Sequence, residues 1–238
     1  PELVGKGGQG TVFRARDKVL DRGVALKVLL NPGDEEASRL LKREVKKSLD
    51  LTHENIVRVY DYIESPPAIS MEFVEGEDLY SLKKKNLGNL FTWDLIEPYI
   101  LQLCSALSYA HEKDIVHRDI KPHNIFWSKE GKVKLGDFGI AINLTDITSK
   151  SAKHAVERKT VAYSSPQQMA GEPVSKSDDV YALGATIYDL LTGTPPFYMG
   201  YLPKQIEEKI PEPMSQRLEM LRHEANENEI TAPPPQTI

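Results

Sequence analysis

Three glycines near the start of the sequence have a spacing that suits phosphate binding. Gly5, Gly7 and Gly10 form a G-x-G-x-x-G pattern, and glycine allows a backbone to approach phosphate groups closely. Residues 11–16 are rich in strand-forming types, so we expect the glycines at the tip of a β-hairpin. A dinucleotide-binding turn would instead lead into a helix. Taken alone, the glycines also suit an ordinary turn.

A lysine follows on a strand whose other residues are apolar. Positions 24–27 read Val-Ala-Leu-Lys and end at Lys27. A lysine in this setting either faces solvent or is held inside by a partner, because burying an unpaired charge is costly. The candidate partner is Glu44, on a helix predicted for 35–51. Two unrelated surface charges are the alternative interpretation of this pair taken alone.

The most specific pattern combines two later runs. Positions 117–121 read His-Arg-Asp-Ile-Lys, with Asn124 close behind, and positions 137–139 read Asp-Phe-Gly. Together with the glycines and Lys27, these runs resemble the protein kinase family, and specifically the serine/threonine type found among bacterial eukaryotic-like kinases. The resemblance extends from position 3 to about position 221. A P-loop hydrolase is excluded, because the sequence lacks G-x-x-x-x-G-K-[ST].

The resemblance implies an ATP-dependent protein serine/threonine kinase and assigns its catalytic residues. Asp119 would be the base that accepts the proton of the substrate hydroxyl, and Lys121 would steady the transferred phosphate. Lys27 would contact the α- and β-phosphates, with Glu44 holding it in place. The Lys-Pro pair at 121–122 resembles serine/threonine kinases, whereas tyrosine kinases usually differ there. We therefore expect protein substrates.

The cofactors implied by the resemblance are ATP and Mg²⁺, with Mn²⁺ as an alternative metal. Asn124 and Asp137 would hold the metal, since oxygen ligands suit it. The expected ATP-binding residues are Val4, Gly5, Gly7, Gly10, Val12, Ala25, Lys27, Met71, Glu72, Val74, Asp78 and Phe126. Among them, Met71 resembles the gatekeeper, and the stretch 72–74 resembles the hinge. For the apolar members, core packing is the alternative explanation.

The segment 137–167 resembles an activation loop, so we expect regulation by phosphorylation. The candidate phosphorylation sites are Thr145, Thr148, Ser149 and Ser151. Arg118 resembles an arginine that receives such a phosphate through charge-assisted hydrogen bonds. Thr160 resembles a threonine that contacts the catalytic groups, so its expected role is positional.

These side chains must be positioned by two kinds of structure. The 238 residues begin with short strands and one helix, and the pattern becomes helical after Gly76. Long apolar-periodic helices are predicted at 95–111 and 175–192, the second with Ser175 as its N-cap and Gly193 after its end. The expected fold is α+β: a two-lobed protein kinase-like fold with a β-rich N-lobe, one key helix there, and a mainly helical C-lobe.

The predicted boundaries follow from this change of character. They are 1–71 for the N-lobe, 72–76 for the hinge, 77–221 for the C-lobe and 222–238 for a loop or frayed tail. A cleft between two lobes is a favoured ligand site. The C-lobe is expected to lack the last helices of the family, so that the sequence is a piece of a longer chain.

Composition and charge indicate which kinds of partner the protein binds and in which cellular compartment it is found. The net charge of −5 gives no reason to expect nucleic-acid binding, and no apolar stretch reaches the roughly 18 residues of a membrane span. Cys104 is the single cysteine, which favours a reducing, cytoplasmic location, although a flank of a longer chain is able to carry a membrane anchor. The apolar neighbours of Cys104 predict that it is buried and inert.

Two departures from the family keep other functions open. Positions 165–167 read Ser-Pro-Gln where the family has Ala-Pro-Glu, and glutamine cannot form the ion pair expected of that glutamate. Ser48 occupies a position where the family usually has a large apolar residue, so we expect poorer packing there. These departures leave a pseudokinase as one alternative. A small-molecule phosphotransferase is the other, and the loop at 137–167 argues against it.

Overall fold

The computed structural model describes residues 1–7, 10–29, 42, 45–86, 90–138 and 161–227. Contacts between residues divide the chain into two compact units. The first contains residues 1–77, 102–118 and 126–156, and the second contains residues 78–101, 119–125 and 157–238. Each unit is built from several separate stretches of the chain. The division therefore does not test the lobe boundaries expected from the sequence, which remain predictions.

An antiparallel five-stranded sheet belongs to the first unit. Its strands are β1 (Glu2–Gly7), β2 (Gly10–Asp17), β3 (Arg22–Leu29), β4 (Val59–Glu64) and β5 (Pro67–Glu72), in the order β1-β2-β3-β5-β4. Val, Ile and Tyr recur in these strands, and such residues favour a pleated, half-buried surface. β4 begins at Val59, and Ile56, which precedes it, forms an isolated parallel bridge with Leu135.

The glycine-rich stretch lies at the β1–β2 hairpin, as predicted. Gly7 pairs with Gly10 at the end of the ladder, and Gly5 pairs with Val12. Because Gly10 opens a strand and not a helix, the dinucleotide-binding alternative does not apply. Positions 8 and 9 lie outside the described residues.

A second, three-stranded sheet has the order β6-β7-β8. Its strands are β6 (Gly76–Asp78), β7 (Ile125–Ser128) and β8 (Val133–Leu135). Gly76 lies so close to the backbone of Trp127 that an added Cβ would fall 1.8 Å from the Trp127 carbonyl oxygen. Only glycine is compatible with this approach of two backbones.

The named helices are α1 (Leu79–Lys85), α2 (Trp93–Glu112), α3 (Pro166–Ala170), α4 (Lys176–Thr192), α5 (Leu202–Glu208) and α6 (Met214–Glu227), with a 3₁₀ turn at Pro122–Asn124. Residues 45–49 are also helical. The limits predicted for α4 are confirmed. Ser175 is its N-cap, and Gly193 at its C-cap has a left-handed φ of 84°, a conformation that glycine adopts without strain.

Two expectations about the helices are wrong. The predicted tail 222–238 begins as helix, since α6 continues to Glu227; residues 228–238 lie outside the described part. Cys104 is exposed, not buried. The buried positions of α2 include Leu103, Ala106 and Leu107, and the 3.6-residue period places Cys104 at the edge of this buried face.

The core of the second unit joins the segment after position 160 to α4 and α5. Its buried members are Ala162, Tyr163, Ala185, Phe197, Leu202 and Ile206. Among the described helices, none combines the length and the apolar character that crossing a bilayer requires.

Candidate active site

Lys27 is buried in the first unit and forms an ion pair with Asp137. Lys27 lies on β3, where it pairs with Val12 on one side and Ile69 on the other. Its side chain is 6% exposed, and Nζ lies 2.9 Å from Oδ1 of Asp137. A buried ammonium needs such a counter-charge, so the surface interpretation of Lys27 is wrong. The partner predicted from the sequence, Glu44, lies outside the described residues.

Asp137 follows a strand that is tightly bonded to its neighbour. The Leu135 N–H donates to the Asn55 carbonyl at 2.8 Å, and the Leu135 carbonyl accepts from the Val57 N–H at 2.9 Å. The Asn55 side chain adds a hydrogen bond of 2.8 Å to the Val133 carbonyl. These bonds anchor β8 at both ends, so the chain enters the Asp-Phe-Gly run from a well-defined position.

The backbone around Asp137 is held in an unfavourable conformation. Asp137 has a φ of 61°, a left-handed value that costs a non-glycine residue energy unless its surroundings impose it. The His117 ring donates from Nε2 to the Gly136 carbonyl at 2.7 Å, and it packs edge-to-face with the Phe138 ring, with centroids 4.5 Å apart. An added Cβ on Gly136 would fall 2.8 Å from the Phe126 ring. Packing on both sides therefore determines this turn.

The second unit contains a compact polar cluster around Asp119. Lys121 donates from Nζ to Asp119 Oδ2 at 2.8 Å. Asn124 donates from Nδ2 to the Asp119 carbonyl at 2.7 Å and to Oδ2 at 2.9 Å. Asp119 is 7% exposed. Two donors on one oxygen hold the carboxylate in one orientation, which is what a base directed at a hydroxyl requires.

Apart from Val4, the apolar residues expected to bind ATP share one cluster of the first unit. Ala25 and Met71 are opposite each other in the β3–β5 ladder, and Val12, Val74 and Phe126 pack against the same cluster. Val45, Val57, Val59 and Ile69 complete its buried part. The cluster shows that these residues pack together, and their role toward a nucleotide stays a prediction.

The remaining expected ATP-binding residues have different surroundings. Val4 is 55% exposed on β1, which also carries Gly5 and Gly7. The Glu72 carboxylate pairs with Lys134 at 2.9 Å. Asp78 is the N-cap of α1, and its carboxylate accepts from the Ser81 N–H at 3.0 Å and from its hydroxyl at 2.6 Å. The side chain of Asp78 thus has a local structural task that the sequence analysis did not assign.

Several expected residues lie outside the described part of the chain. They are Glu44, Thr145, Thr148, Ser149, Ser151 and Thr160. Their proposed roles stay predictions. Gln167 lies in the described part, exposed in the first turn of α3.

A buried ionic network in the second unit was not predicted from the sequence. Lys83 of α1 donates to Asp189 Oδ1 of α4 at 2.6 Å and to the Gly193 carbonyl at 3.0 Å, while the Tyr163 hydroxyl donates to Asp189 Oδ2 at 2.8 Å. Burial, helped by the Asp189 charge, raises the pKa of Tyr163 far above its usual range. The three side chains also line a cavity of about 500 Å³. A sequence signal existed, since Lys83 lies one helical turn after the buried Leu79.

The oxygen donors present suit a divalent cation of the magnesium type. Asp137 keeps 27% of its side chain exposed despite its pairing with Lys27, so its carboxylate is accessible to an ion. Within the described residues no cluster of three or more His, Cys, Asp or Glu side chains forms an all-protein metal cage. Mg²⁺ in phosphate-transferring sites is held by one or two carboxylates together with phosphate oxygens, and the residues therefore fit this ion.

Comparison with known proteins decides the family. The protein kinase domain matches residues 1–237. The chain belongs to the protein kinase family. It is similar to the serine/threonine-protein kinase PrkC of Bacillus subtilis, with 40% identity over 199 residues, covering 82% of this chain and 30% of PrkC. It is also similar to the serine/threonine-protein kinase PknB of Mycolicibacterium smegmatis, with 41% identity over 204 residues, covering 82% of this chain and 32% of PknB.

A solved structure confirms the fold class of this kinase domain. The crystal structure of the Mycobacterium tuberculosis PknI kinase domain matches with a TM-score of 0.73 at 25% identity, covering 98% of this chain and 87% of that one. The fold is that of protein kinases, with a β-rich N-lobe and a mainly helical C-lobe. The chain spans about a third of the length of the curated relatives that it matches.

Proposed function

We propose that this kinase domain transfers the γ-phosphoryl group of ATP, in the presence of Mg²⁺, to a serine or threonine hydroxyl of a protein. The observation that carries the proposal is the Asp119 cluster, in which a nearly buried carboxylate is oriented by Lys121 and Asn124. The names of the relatives, which are serine/threonine-protein kinases, support the same chemistry.

Asp119 acts as the base in this reaction. The substrate hydroxyl oxygen forms a bond to the γ-phosphorus, the bond from that phosphorus to the β–γ bridging oxygen breaks, and the hydroxyl proton passes to the Asp119 carboxylate. Lys121 stabilises charge on the transferred group, and its contact with the same carboxylate supports this role. The fixed orientation of Asp119 contributes by avoiding reorganisation during the step.

Lys27 and Asp137 bind the two charged partners of the reaction. Lys27 contacts the α- and β-phosphates, and Glu44 steadies Lys27. Asn124 and Asp137 would hold the metal, Mg²⁺ or alternatively Mn²⁺, and the metal would neutralise charge on the phosphate oxygens. In the structure Lys27 and Asp137 form an ion pair with each other; with ligands bound, Lys27 would pair with phosphate oxygens and Asp137 with the metal.

The nucleotide base is bound by the apolar cluster of the first unit. Val12 and Ala25 cover one face of adenine and Phe126 the other, with Met71 at the back. Support comes from the packing of these four side chains in one cluster. Further contacts come from Val4, the glycine hairpin, the backbone of 72–74 and Asp78.

Regulation and location are further parts of the proposal. Phosphorylation of Thr145, Thr148, Ser149 or Ser151 controls activity, and Arg118 receives the phosphate. A cytoplasmic site of action rests on the single cysteine, and the absence of a nucleic-acid partner rests on the net charge of −5.

The substitution Asp119→Asn tests the proposed reaction. Transfer of labelled phosphate to a basic protein should fall by about 10²- to 10⁴-fold, while binding of a fluorescent ATP analogue persists. Asp50→Asn, at an exposed position, is the matched control and should keep wild-type turnover. An unchanged rate in Asp119→Asn rules out its role as base.

Two measurements on the wild-type protein distinguish the proposed kinase function from the two alternative functions. ATP binding without any turnover would identify a pseudokinase. Phosphate transfer to sugars or antibiotics but not to peptides would identify a small-molecule phosphotransferase. Phosphoserine or phosphothreonine in the protein product is the result expected here.

A further inference from the structure

A buried hydroxyl contacts the backbone directly after Asp137. Ser48, in the helical segment 45–49, donates from Oγ to the carbonyl oxygen of Phe138 at 2.9 Å, and the two residues are 90 positions apart. Both are 2% exposed. The sequence led us to expect only a loss of packing at this position. The structure shows instead a directional hydrogen bond, which a hydrocarbon side chain cannot make.

The two carbonyls that flank Asp137 are both held by side-chain donors. On one side the Gly136 carbonyl accepts from His117 at 2.7 Å, and on the other the Phe138 carbonyl accepts from Ser48. Between them Asp137 has its left-handed φ of 61°. Such a conformation persists only where surrounding contacts impose it, and these two bonds hold the backbone on either side of Asp137.

We propose that Ser48 is a positioning residue for Asp137. By holding the Phe138 carbonyl, the Ser48 hydroxyl maintains the strained turn that directs the Asp137 carboxylate toward the metal of Mg-ATP. This inference rests on the metal-binding role of Asp137 in the proposed function. It adds a hydrogen-bonding task for a residue at which the family resemblance gave reason to expect an apolar side chain.

The competing explanation is purely structural, because any buried polar group costs stability when its partner is removed. Ser128 provides a matched control for that explanation. It is a buried serine of the same unit, and its hydroxyl accepts from the Lys132 N–H at 3.2 Å in a turn. Ser128→Ala therefore removes a comparable buried hydroxyl without touching the backbone near Asp137.

The hydrogen bond itself can be observed at one atom. Positions 138–139 are the one Phe-Gly pair in the whole sequence. Labelling with carbonyl-¹³C phenylalanine and ¹⁵N glycine thus gives a single carbonyl–amide correlation, which reports the Phe138 carbonyl. Its ¹³C shift should move in Ser48→Ala, because the oxygen loses a donor, and should stay in place in Ser128→Ala.

The positioning role is measured by metal-dependent binding without turnover. Fluorescence of mant-ATP is followed while Mg²⁺ is titrated into the full 238-residue chain. In Ser48→Ala the Mg²⁺ concentration at half-maximal binding should rise by about 3- to 10-fold, the effect of one net hydrogen bond on the affinity. Ser128→Ala should leave it unchanged. Ser48→Cys, which substitutes a weak donor, replaces Ser48→Ala in both measurements if the alanine variant does not fold.

The outcomes separate the two proposals. An unmoved carbonyl shift, an unchanged Mg²⁺ requirement, or an equal rise in both serine variants overturns the positioning role of Ser48 while the kinase function stands. Wild-type protein that binds no mant-ATP at any Mg²⁺ concentration overturns the proposed function and this inference together. A moved shift with a raised Mg²⁺ requirement only in the Ser48 variant supports it.

Discussion

The Lys27 ammonium and the Asp137 carboxylate lie 2.9 Å apart, although one belongs to β3 and the other follows β8. The carboxylate compensates the charge of an ammonium group that is buried inside an apolar sheet. The Asp137 side chain remains 27% exposed despite this contact. The same two side chains are those to which the family resemblance assigns phosphate and metal binding.

Removing the cation of this pair should weaken ATP use. In Lys27→Met, kcat/KM for ATP should fall by about 10- to 100-fold or more, since hydrogen bonds to charged groups contribute roughly 1.5–3 kcal/mol. Steady-state kinetics with ATP varied at saturating protein substrate measure the change. Lys18→Met, at an exposed turn position, is the control, and an equal loss in both variants would contradict the assigned role.

The ionic network of the second unit should matter for stability. Lys83→Met leaves the Asp189 carboxylate, 1% exposed, without its cation, and removing one partner of a buried ion pair costs about 3–5 kcal/mol. Urea unfolding should show this loss in the free energy of unfolding. The double variant Lys83→Met/Asp189→Asn should recover most of it, because asparagine carries no charge and still accepts a hydrogen bond from Tyr163.

The control for that experiment is Lys84→Met. Lys84 is exposed on the same helix, with Nζ 4.5 Å from the centre of the Tyr80 ring. Its removal should cost less than about 1 kcal/mol, the usual range for exposed cation–π contacts. A loss in Lys83→Met no larger than in Lys84→Met would show that the buried pair does not stabilise the fold.

Asp17 should make the free energy of unfolding depend on pH. The backbone N–H of Leu20, followed by that of Val19 and the Arg22 charge, lowers the pKa of Asp17 below its usual value. The folded protein then holds the proton less tightly than the unfolded chain, so the stabilisation is complete above the unfolded pKa and is lost as pH falls through the folded pKa.

Replacing Asp17 by an uncharged residue tests the predicted direction of this pH dependence of stability. Asp17→Asn should be less stable than the wild type in urea unfolding at pH 7, and the difference should shrink as the pH approaches 3. A difference that stays constant, or that grows on acidification, would contradict the assigned cause.

The position of Cys104 gives a simple chemical test of the α2 orientation. Because Cys104 is exposed, its thiol should react with Ellman's reagent in the native protein at a rate close to that of a small free thiol. One equivalent should be titrated without denaturant, since the chain has one cysteine. A reaction that requires unfolding would place Cys104 in the core after all.

Local features of the fold were predictable because they follow from local backbone preferences. The glycines at the β1–β2 hairpin and the cap pair Ser175 and Gly193 each depend on a few neighbouring residues. Cys104 was not predictable in the same way. Its neighbours showed that α2 has an apolar face, but Cys104 sits at the edge of that pattern, and only the position of the core against the helix decided on which side it lies.

The amino-acid sequence by itself determined the family, the β-rich to helical order and the identity of the reactive side chains, because these depend on residue types and their spacing. Only the tertiary structure decided which groups meet. Lys27 with Asp137, Ser48 with Phe138 and Lys83 with Asp189 are contacts between distant segments. Such contacts depend on how whole strands and helices pack, and a hydrogen bond forms or fails over less than an ångström.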